Sequence, residues 1–338
     1  MKVAIVGLGH IGGSLAKALS GCDVEICCYD SNQDTVEAAI SSGLSCADSV
    51  SEVILKADLI LLAVPSMSIL SVLDEVLHRL NTRRTLGHRV VISDVSSTKS
   101  HFIDRVYDLV GNALYKGLEV EYLSLHPMAG KEGSGFDSSS GELLMASTWA
   151  VLLERDSSPH AVSLVMEVIG YLGGRGLFID RIAHDRAVAL ISHIPHLVSF
   201  AYTQLVQTSD IKDLSLPLRA GSFRDLTRVA KTDPEKVAAM VVPNRGNLVP
   251  LIDDLIDIFG KVRSSIDTKD QFMEFASPLT ASLVANDSDL GAPEKRTLTI
   301  HGDNLIPALM QISKEGGLVD SIVADLDQDL FEISFSVN

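Results

Sequence analysis

The chain has 338 residues, a formal net charge of −16 at pH 7 and four cysteines, and 46% of its residues are hydrophobic. The length allows two or three domains, and the negative charge argues against nucleic acids and anionic membranes as partners. No apolar run approaches the ~20 residues of a membrane span, a strand at residue 2 leaves no room for a signal peptide, and the cysteines lack C-x-x-C spacing. We therefore expect a cytoplasmic protein.

The chain opens on an apolar strand, Lys2–Val6, that runs into a glycine loop. Gly7, Gly9 and Gly12 form the pattern G-x-G-x-x-G, and a helical pattern follows. The first glycine allows a tight turn, the second lets the backbone approach a pyrophosphate, and the third lets helix and strand pack closely. The free N–H groups of the helix then face the phosphates. We predict a dinucleotide-binding loop that also includes His10 and Ile11.

The second predicted strand, Val24–Tyr29, ends at Asp30, about 20 residues beyond the loop, as the dinucleotide-binding fingerprint requires. A carboxylate at this point accepts hydrogen bonds from both ribose hydroxyls and repels a 2′-phosphate, so the sequence favours NAD over NADP. Because functional residues gather where parallel strands end, we also assign Val64 and Pro65, at the end of the third strand, to the cofactor.

Continuous apolar strands alternate with amphipathic helical patterns as far as residue 155. This order is typical of a parallel sheet covered by helices on both faces. We therefore predict an α/β fold with a Rossmann-type NAD-binding domain over residues 1–155. Its remaining strands are predicted at Leu59–Val64, Arg89–Asp94, Glu121–Ser124 and Thr148–Leu153.

From about Ala161 the strand signal disappears, and a helical domain is predicted over residues 156–280. Asp233 and Pro234 mark a helix start, with Asp as the N-cap and Pro in the first turn. The apolar stretch from Ala187 to Val206 exceeds what a monomer easily buries, which indicates a homodimer. The helices are predicted at Val162–Leu172, Asp180–Gln207, Phe223–Ala230, Asp233–Pro243 and Asn247–Ile266.

A turn-rich linker at residues 285–293 precedes a small α+β module, residues 294–338. A helical pattern at Leu305–Glu315 follows a first strand and precedes two more. The module is short for an independent core, so we expect it to pack on the rest of the protein or on a partner chain. The strands are predicted at Arg296–His301, Ser321–Leu326 and Leu330–Val337.

Two strand ends carry candidate chemistry. The strand that ends at Asp94 continues into Val-Ser-Ser-Thr-Lys99, which places polar side chains at the carboxyl edge of the sheet, beside the cofactor. The alternative is that Ser96 or Ser97 simply caps a helix.

The next strand ends at His126, which Pro127 follows, at the place where a nicotinamide would lie. Histidine titrates near neutrality, so His126 could accept the proton of a substrate hydroxyl as hydride leaves the same carbon. A purely structural histidine is the alternative, and position alone leaves both open.

The helical region contains His184-Asp185, and His193 and His196 three residues apart. This spacing suits a metal, but no nearby Cys or carboxylate completes a ligand set, so we predict none.

Further on, Arg224 and Arg228 lie four residues apart, on one helical face. Such a pair in an acidic protein suits the recognition of a carboxylate. A solvated helix surface with a salt bridge to Asp225 is the alternative.

Together these segments resemble the prephenate/arogenate dehydrogenase family of tyrosine biosynthesis. The resemblance implies the NAD-dependent oxidative decarboxylation of prephenate, which loses hydride from C4 to NAD and CO₂ from C1 and gives 4-hydroxyphenylpyruvate. The matching segments are Gly7–Gly12 with Asp30, Asp94–Lys99, His126–Glu132, His184-Asp185 with His193–His196, and Gly221–Arg228.

By the same resemblance, His126 binds the C4 hydroxyl and accepts its proton, and Ser97 orients His126 or shares that hydroxyl.

The resemblance also implies that Arg228 pairs with a substrate carboxylate, assisted by His196 and Arg224. Glu132 and Asp225 then form a charged gate with Arg228. The C-terminal module resembles a shortened ACT-type regulatory domain, which implies control by tyrosine. A dimer-stabilising appendage without a ligand is the alternative.

Three other functions stay open. An arogenate dehydrogenase differs in the side chain of its substrate, which nothing in the sequence decides. A β-hydroxyacid dehydrogenase shares the two-domain plan but usually carries a catalytic lysine in the helical domain, where this chain has His and Arg. A cofactor-sensing regulator without turnover would need no base at His126.

Overall fold

The computed structural model describes residues 1–83, 89–115, 117–130, 133–154, 157–288, 293–325 and 327–337. Glu132, part of the predicted linker and the predicted strand end at Leu326 lie outside the described residues. No helix in the described ranges is long and apolar enough to cross a membrane.

The first sheet is parallel, with the strand order β2-β1-β3-β4-β5. Consecutive residues of its central strands pack on opposite sides, so that Leu59 and Leu61 enter one apolar cluster while Ile60 enters another. This confirms the predicted sheet with helices on both faces. Its strands are β1 Lys2–Val6, β2 Glu25–Tyr29, β3 Leu59–Leu62, β4 Val90–Asp94 and β5 Val120–Tyr122, and its helices are α1 His10–Leu19, α2 Gln33–Ser41, α3 Val50–Val53, α4 Ile69–Arg83 and α5 Ile103–Tyr115.

The predicted strand Glu121–Ser124 is two short strands in two sheets. The chain leaves the first sheet after β5 and enters a second one at β6, Ser124–Pro127, which pairs antiparallel with β7, Thr148–Leu152. Leu123 lies between the two strands and is fully buried. The continuous apolar pattern hides this change of sheet, because both strands are buried.

A further strand, β8, covers Arg175–Ile179 and pairs parallel with β7. Helix α6, Pro159–Tyr171, connects them and begins at its N-cap Ser158. The expectation that strands end at about Ala161 is therefore wrong. The strand has five residues and follows two glycines, so its sequence carries too short a pattern to separate it from a loop.

The rest of the central region is helical, as predicted. The predicted helix Asp180–Gln207 contains a π-helical turn at Ala189–His193 between α7 and α8. Asp180 caps α7, because its Oδ1 accepts hydrogen bonds from the N–H groups of Ile182 and Ala183. The helices are α7 Arg181–Val188, α8 Ile194–Gln207, α9 Lys212–Ser215, α10 Gly221–Thr227, α11 Pro234–Val241, α12 Arg245–Ser265 and α13 Lys269–Ser288. Since α13 runs to Ser288, the first residues of the predicted linker are helical.

The C-terminal module has the predicted β-α-β-β order and extends the second sheet. Val319 pairs with Gly176 of β8, and the N–H group of Phe178 donates to Ser313 Oγ at 2.8 Å. Leu309 and Phe331 share an apolar cluster with Phe178, so the module packs on the rest of the chain. Its elements are β9 Glu294–His301, α14 Leu305–Lys314, β10 Leu318–Asp325 and β11 Leu330–Val337, and the sheet order is β6-β7-β8-β10-β11-β9.

Candidate functional site

The glycine loop has the geometry that the sequence predicts. Gly7 has φ +96°, a conformation that favours glycine, and a Cβ atom on Gly12 would overlap the carbonyl oxygen of Gly7. Helix α1 begins at His10, and a Cβ atom on Gly9, just before it, would meet nothing within 4 Å. The space beside Gly9, at the start of α1, is therefore open, and the start of a helix suits a bound pyrophosphate.

Asp30 lies next to this loop. Its Oδ2 accepts a hydrogen bond from the N–H group of Leu8 at 2.6 Å, and its Oδ1 accepts one from Asn32 at 2.8 Å. Val64 reaches the loop from the end of β3, because its Cγ1 lies 2.9 Å from the Cβ position of Gly7. Pro65 follows it and precedes a short 3₁₀ helix. The loop, the carboxylate and the end of β3 thus form one surface that suits a dinucleotide.

A buried ion pair stands at the end of β4. Lys99 Nζ donates to Asp94 Oδ1 at 2.5 Å, to Ser96 Oγ at 3.2 Å and to the carbonyl oxygen of Leu125 at 2.7 Å. Both charged side chains are fully buried. The three acceptors match the three N–H bonds of an ammonium group. Burial raises the pKa of Asp94, but the Lys99 charge and the hydrogen bonds from Lys99, Ser124 and Ser96 together outweigh burial, so the net pKa is lowered.

This ion pair joins both sheets. Asp94 Oδ2 accepts hydrogen bonds from Tyr122 at 2.6 Å and from Ser124, which lie two residues apart across the change of sheet. Ser96 also donates to Asp94. Helix α5 begins only at Ile103, so the alternative of a helix cap at Ser96 or Ser97 is wrong. Ser97 is half-buried in the same turn.

His126 contacts a second histidine that the sequence analysis gave no role. His126 Nδ1 lies 3.0 Å from His184 Nε2, and His184 Nδ1 lies 2.8 Å from Asp185 Oδ1. His184 and Asp185 are each 2% exposed, whereas His126 is partly exposed. Asp185 also accepts hydrogen bonds from the N–H groups of Lys99 at 3.1 Å and Ser100 at 2.8 Å. We call His126, His184 and Asp185 the triad.

The triad has defined charges. Burial, together with His184 and the Lys99 cation, holds the pKa of His126 well below 6.5, so His126 is neutral at pH 7. Burial raises the pKa of Asp185, but hydrogen bonds from His184 and Ser100 outweigh burial and lower that pKa to about 2. Asp185 is therefore an anion.

His193 ends the π-helical turn and His196 lies in α8, and the two side chains have different environments. Asn244 Nδ2 donates to the carbonyl oxygen of Asp185 at 2.8 Å and lies 3.2 Å from His193 Nδ1. His193 is 1% exposed, and burial lowers its pKa to about 4. His196 is half-buried and donates from Nδ1 to the carbonyl oxygen of Ser192 at 2.9 Å.

The arginine segment lies on α10. Arg224, Asp225 and Arg228 are exposed, and Phe223 packs its ring 6.1 Å from that of Tyr202 on α8. Within the described ranges, no contact joins Arg224 or Asp225 to His126. The structure therefore brings His126 together with Lys99 and the His184-Asp185 pair, and it leaves Arg224 and Asp225 facing solvent.

Sequence reasoning missed the roles of Lys99, Asn244 and the His184-Asp185 pair in this site. The adjacent His and Asp near the start of a helix were the available signal. That signal is weak because most such pairs are surface residues.

The site combines a glycine loop, the Asp30 carboxylate after β2 and a neutral His126 in β6. This combination is typical of a nucleotide-dependent dehydrogenase. A family model described as prephenate dehydrogenase, nucleotide-binding domain, matches residues 14–177, and one described as prephenate dehydrogenase, dimerization domain, matches residues 181–279. The chain belongs to the prephenate/arogenate dehydrogenase family. It is an NAD-dependent oxidoreductase.

Individual relatives agree with this assignment. The cyclohexadienyl dehydrogenase of Zymomonas mobilis is 29% identical over 79% of this chain and 89% of its own length. The prephenate dehydrogenase of Lactococcus lactis is 31% identical over 72% of this chain and 65% of its own. The solved arogenate dehydrogenase of Synechocystis is 25% identical with a TM-score of 0.69, over 86% of this chain and all of the other.

Proposed function

We propose that the protein oxidises and decarboxylates prephenate to 4-hydroxyphenylpyruvate, with His126 as the base that accepts the proton of the C4 hydroxyl. The observation that carries this proposal is the state of His126. Its ring is neutral and partly exposed, and its Nδ1 is held by His184, which leaves Nε2 for the substrate. A neutral imidazole at this position can accept a proton at neutral pH.

The glycine loop and Asp30 fit the cofactor. We assign the pyrophosphate to the first N–H groups of α1, around His10, Ile11 and Gly12, and the ribose hydroxyls to Asp30. When bound, NAD supplies the hydride acceptor. The role of this part of the chain is to hold the acceptor beside His126.

The substrate carboxylates need cations, because the protein as a whole is acidic. We assign one carboxylate to Arg228, with His196 and Arg224 assisting, and the gate to Glu132, Asp225 and Arg228. His196 has its Nδ1 occupied by a backbone carbonyl, so its Nε2 is the atom that can meet a ligand. Ser97 is assigned to the C4 hydroxyl or to His126.

Four further expectations are also proposals. We propose a homodimer through the helical region, in line with the dimerization-domain match. We keep the division into residues 1–155, 156–280 and 294–338, the cytoplasmic location, and tyrosine as a regulator that binds the C-terminal module. Addition of tyrosine to the assay below tests the last of these.

The test is NADH or NADPH formation measured by absorbance, with prephenate and arogenate in parallel, each with NAD and with NADP. We expect turnover with prephenate and NAD. Faster turnover with arogenate would transfer the assignment to that substrate, whose side chain is an amino acid where that of prephenate is a keto acid. No turnover with either, despite NAD binding, would favour a β-hydroxyacid dehydrogenase or a cofactor sensor.

The role of His126 has its own test. We expect His126→Asn to lower kcat about 10²- to 10⁴-fold, the usual contribution of a general base, and to leave NAD affinity unchanged. The matched control is His160→Asn, since His160 lies outside the triad and is held by Glu121 at 2.7 Å. Unchanged turnover in His126→Asn contradicts the proposed base.

A further inference from the structure

We propose that His184 and Asp185 are positioning residues that fix the tautomer of His126 and receive the proton that His126 removes from the substrate. The proposal rests on the function proposed above, in which His126 is the base. It goes beyond that function because it assigns roles to two residues that do not touch the substrate.

The hydrogen bonds of Asp185 determine which nitrogen atoms of the triad carry hydrogen. Asp185 is ionised and can only accept, so His184 must donate to it from Nδ1. The relay requires a neutral His184 before the reaction, and the Nε2 atom of that ring is then a bare acceptor. His126 Nδ1, 3.0 Å away, must be the donor, and His126 Nε2 is left as the bare atom. The triad therefore presents a lone pair, and not an N–H group, to a hydroxyl.

Backbone contacts hold Asp185 in this orientation. Its two oxygen atoms accept hydrogen bonds from the N–H groups of Lys99 and Ser100, and its own carbonyl oxygen accepts one from Asn244. The side chains of His184 and Asp185 are almost fully buried. No water can easily replace either partner, so the tautomer is set by the fold.

The charges on either side of the triad favour transfer of the proton away from His126. The charged and titratable groups around it are Lys99, Asp94, His101 and His193. Lys99 disfavours a cation on His126, whereas the Asp185 carboxylate, in direct contact with His184, favours one on His184.

The proton balance of the step is simple. The O–H bond of the substrate breaks, and its proton forms an N–H bond at His126 Nε2 as the hydride leaves for NAD. The Nδ1 proton of His126 then moves to His184 Nε2. His126 is neutral again, and His184 carries the positive charge against the Asp185 anion. When the bond from C1 to the carboxylate breaks and CO₂ leaves, the electron pair of that bond enters the ring and the C4 oxygen becomes a phenolate. The proton returns to this oxygen through His126, which gives the product hydroxyl and restores the triad. No further oxidant or reductant is needed.

Replacing His184 by Gln separates the two roles. The Gln carbonyl can still accept the Nδ1 hydrogen of His126, so the tautomer is kept, but it cannot take up a proton. The proton must then stay on His126, whose pKa burial and the Lys99 cation still hold below 6.5. We expect kcat/KM to fall about tenfold to a hundredfold and the acid limb of its pH profile to move to lower pH.

His184→Leu removes the acceptor as well and should lose more activity than His184→Gln. The matched control is His160→Gln, whose histidine also pairs with a carboxylate; it should keep both the rate and the pH profile. The proposal is overturned if the acid limb of the pH profile stays in place in His184→Gln. This holds if activity is kept, and also if activity is lost together with thermal stability.

A second measurement needs no variant that folds poorly. Nitrogen-15 NMR of histidine-labelled wild-type protein reports which ring nitrogen carries hydrogen. We expect His126 as the Nδ1–H form, and an Nε2–H form contradicts the proposal. This readout is independent of turnover, so a protein inactive with prephenate and arogenate would refute the proposed function without deciding the tautomer.

Discussion

Replacing Lys99 by Met should lower the free energy of unfolding by about 3–5 kcal/mol, the usual cost of leaving a buried charge without its partner. The Lys99 and Asp94 side chains are both fully inaccessible to solvent. Methionine fills most of the volume of the lysine stem, so the loss comes mainly from electrostatics and hydrogen bonds. The variant removes three donated hydrogen bonds, including the one to Leu125, and leaves the Asp94 carboxylate buried without a cation.

The assay is urea denaturation at one fixed protein concentration, because the stability of an oligomer depends on concentration. Lys2→Met is the matched control: Lys2 pairs with Glu25 at 3.2 Å, but the Glu25 side chain is 70% exposed. Such surface pairs contribute under about 1 kcal/mol. The double variant Asp94→Asn with Lys99→Met should recover part of the loss, since it leaves no charge behind. A loss in Lys99→Met no larger than in Lys2→Met would refute the reasoning.

Two further predictions concern His193 and the glycine loop. Burial lowers the pKa of His193 to about 4, so the unfolded chain binds more protons below its usual pKa of 6.5 and stability falls as the pH decreases from 6.5 to 4. This shift corresponds to roughly 3 kcal/mol. His193→Gln should remove that share of the pH dependence of the free energy of unfolding, measured by urea denaturation. The same dependence on pH in the variant and the wild type would contradict this prediction. Gly12→Ala should lower Tm, because its Cβ atom would overlap the carbonyl oxygen of Gly7. Gly9→Ala should keep Tm but weaken NAD binding by about tenfold or more in a fluorescence titration. Unchanged NAD affinity in Gly9→Ala would count against the phosphate site.

Sequence reasoning predicted the first sheet well because its strands are continuous apolar runs. Strand β3 is buried along its whole length, and this pattern needs helices on both faces. The glycine loop was equally predictable, since Gly7 and Gly12 each meet a local steric requirement and Gly9 leaves open space for a ligand. The second sheet was harder to predict: β8 is short, and its pairing with β10 joins Gly176 to Val319 across most of the helical region.

Within the candidate site, sequence reasoning could propose a role only where the residue type at a strand end suggests a reaction by itself, as a histidine suggests proton transfer at His126. The contact of His126 with His184 spans 58 positions in the sequence. It depends on how α7 packs against the strand ends, which no local pattern encodes. The burial of Lys99 was hidden for the same reason, because a lysine at a sheet edge ordinarily faces water.

The joining of β8 to β10 has a consequence for the order in which the protein folds during synthesis. The parallel sheet needs only strands up to β5, so it can form once that part of the chain has emerged from the ribosome. Strands β6, β7 and β8 can pair with one another earlier, but the free edge of β8 must wait for β10, and the N–H group of Phe178 must wait for Ser313, 135 positions later. Until then β8 exposes a strand edge and apolar side chains that invite wrong pairing. Premature termination near residue 290 would therefore leave an aggregation-prone chain, even though the glycine loop and the triad had already been made.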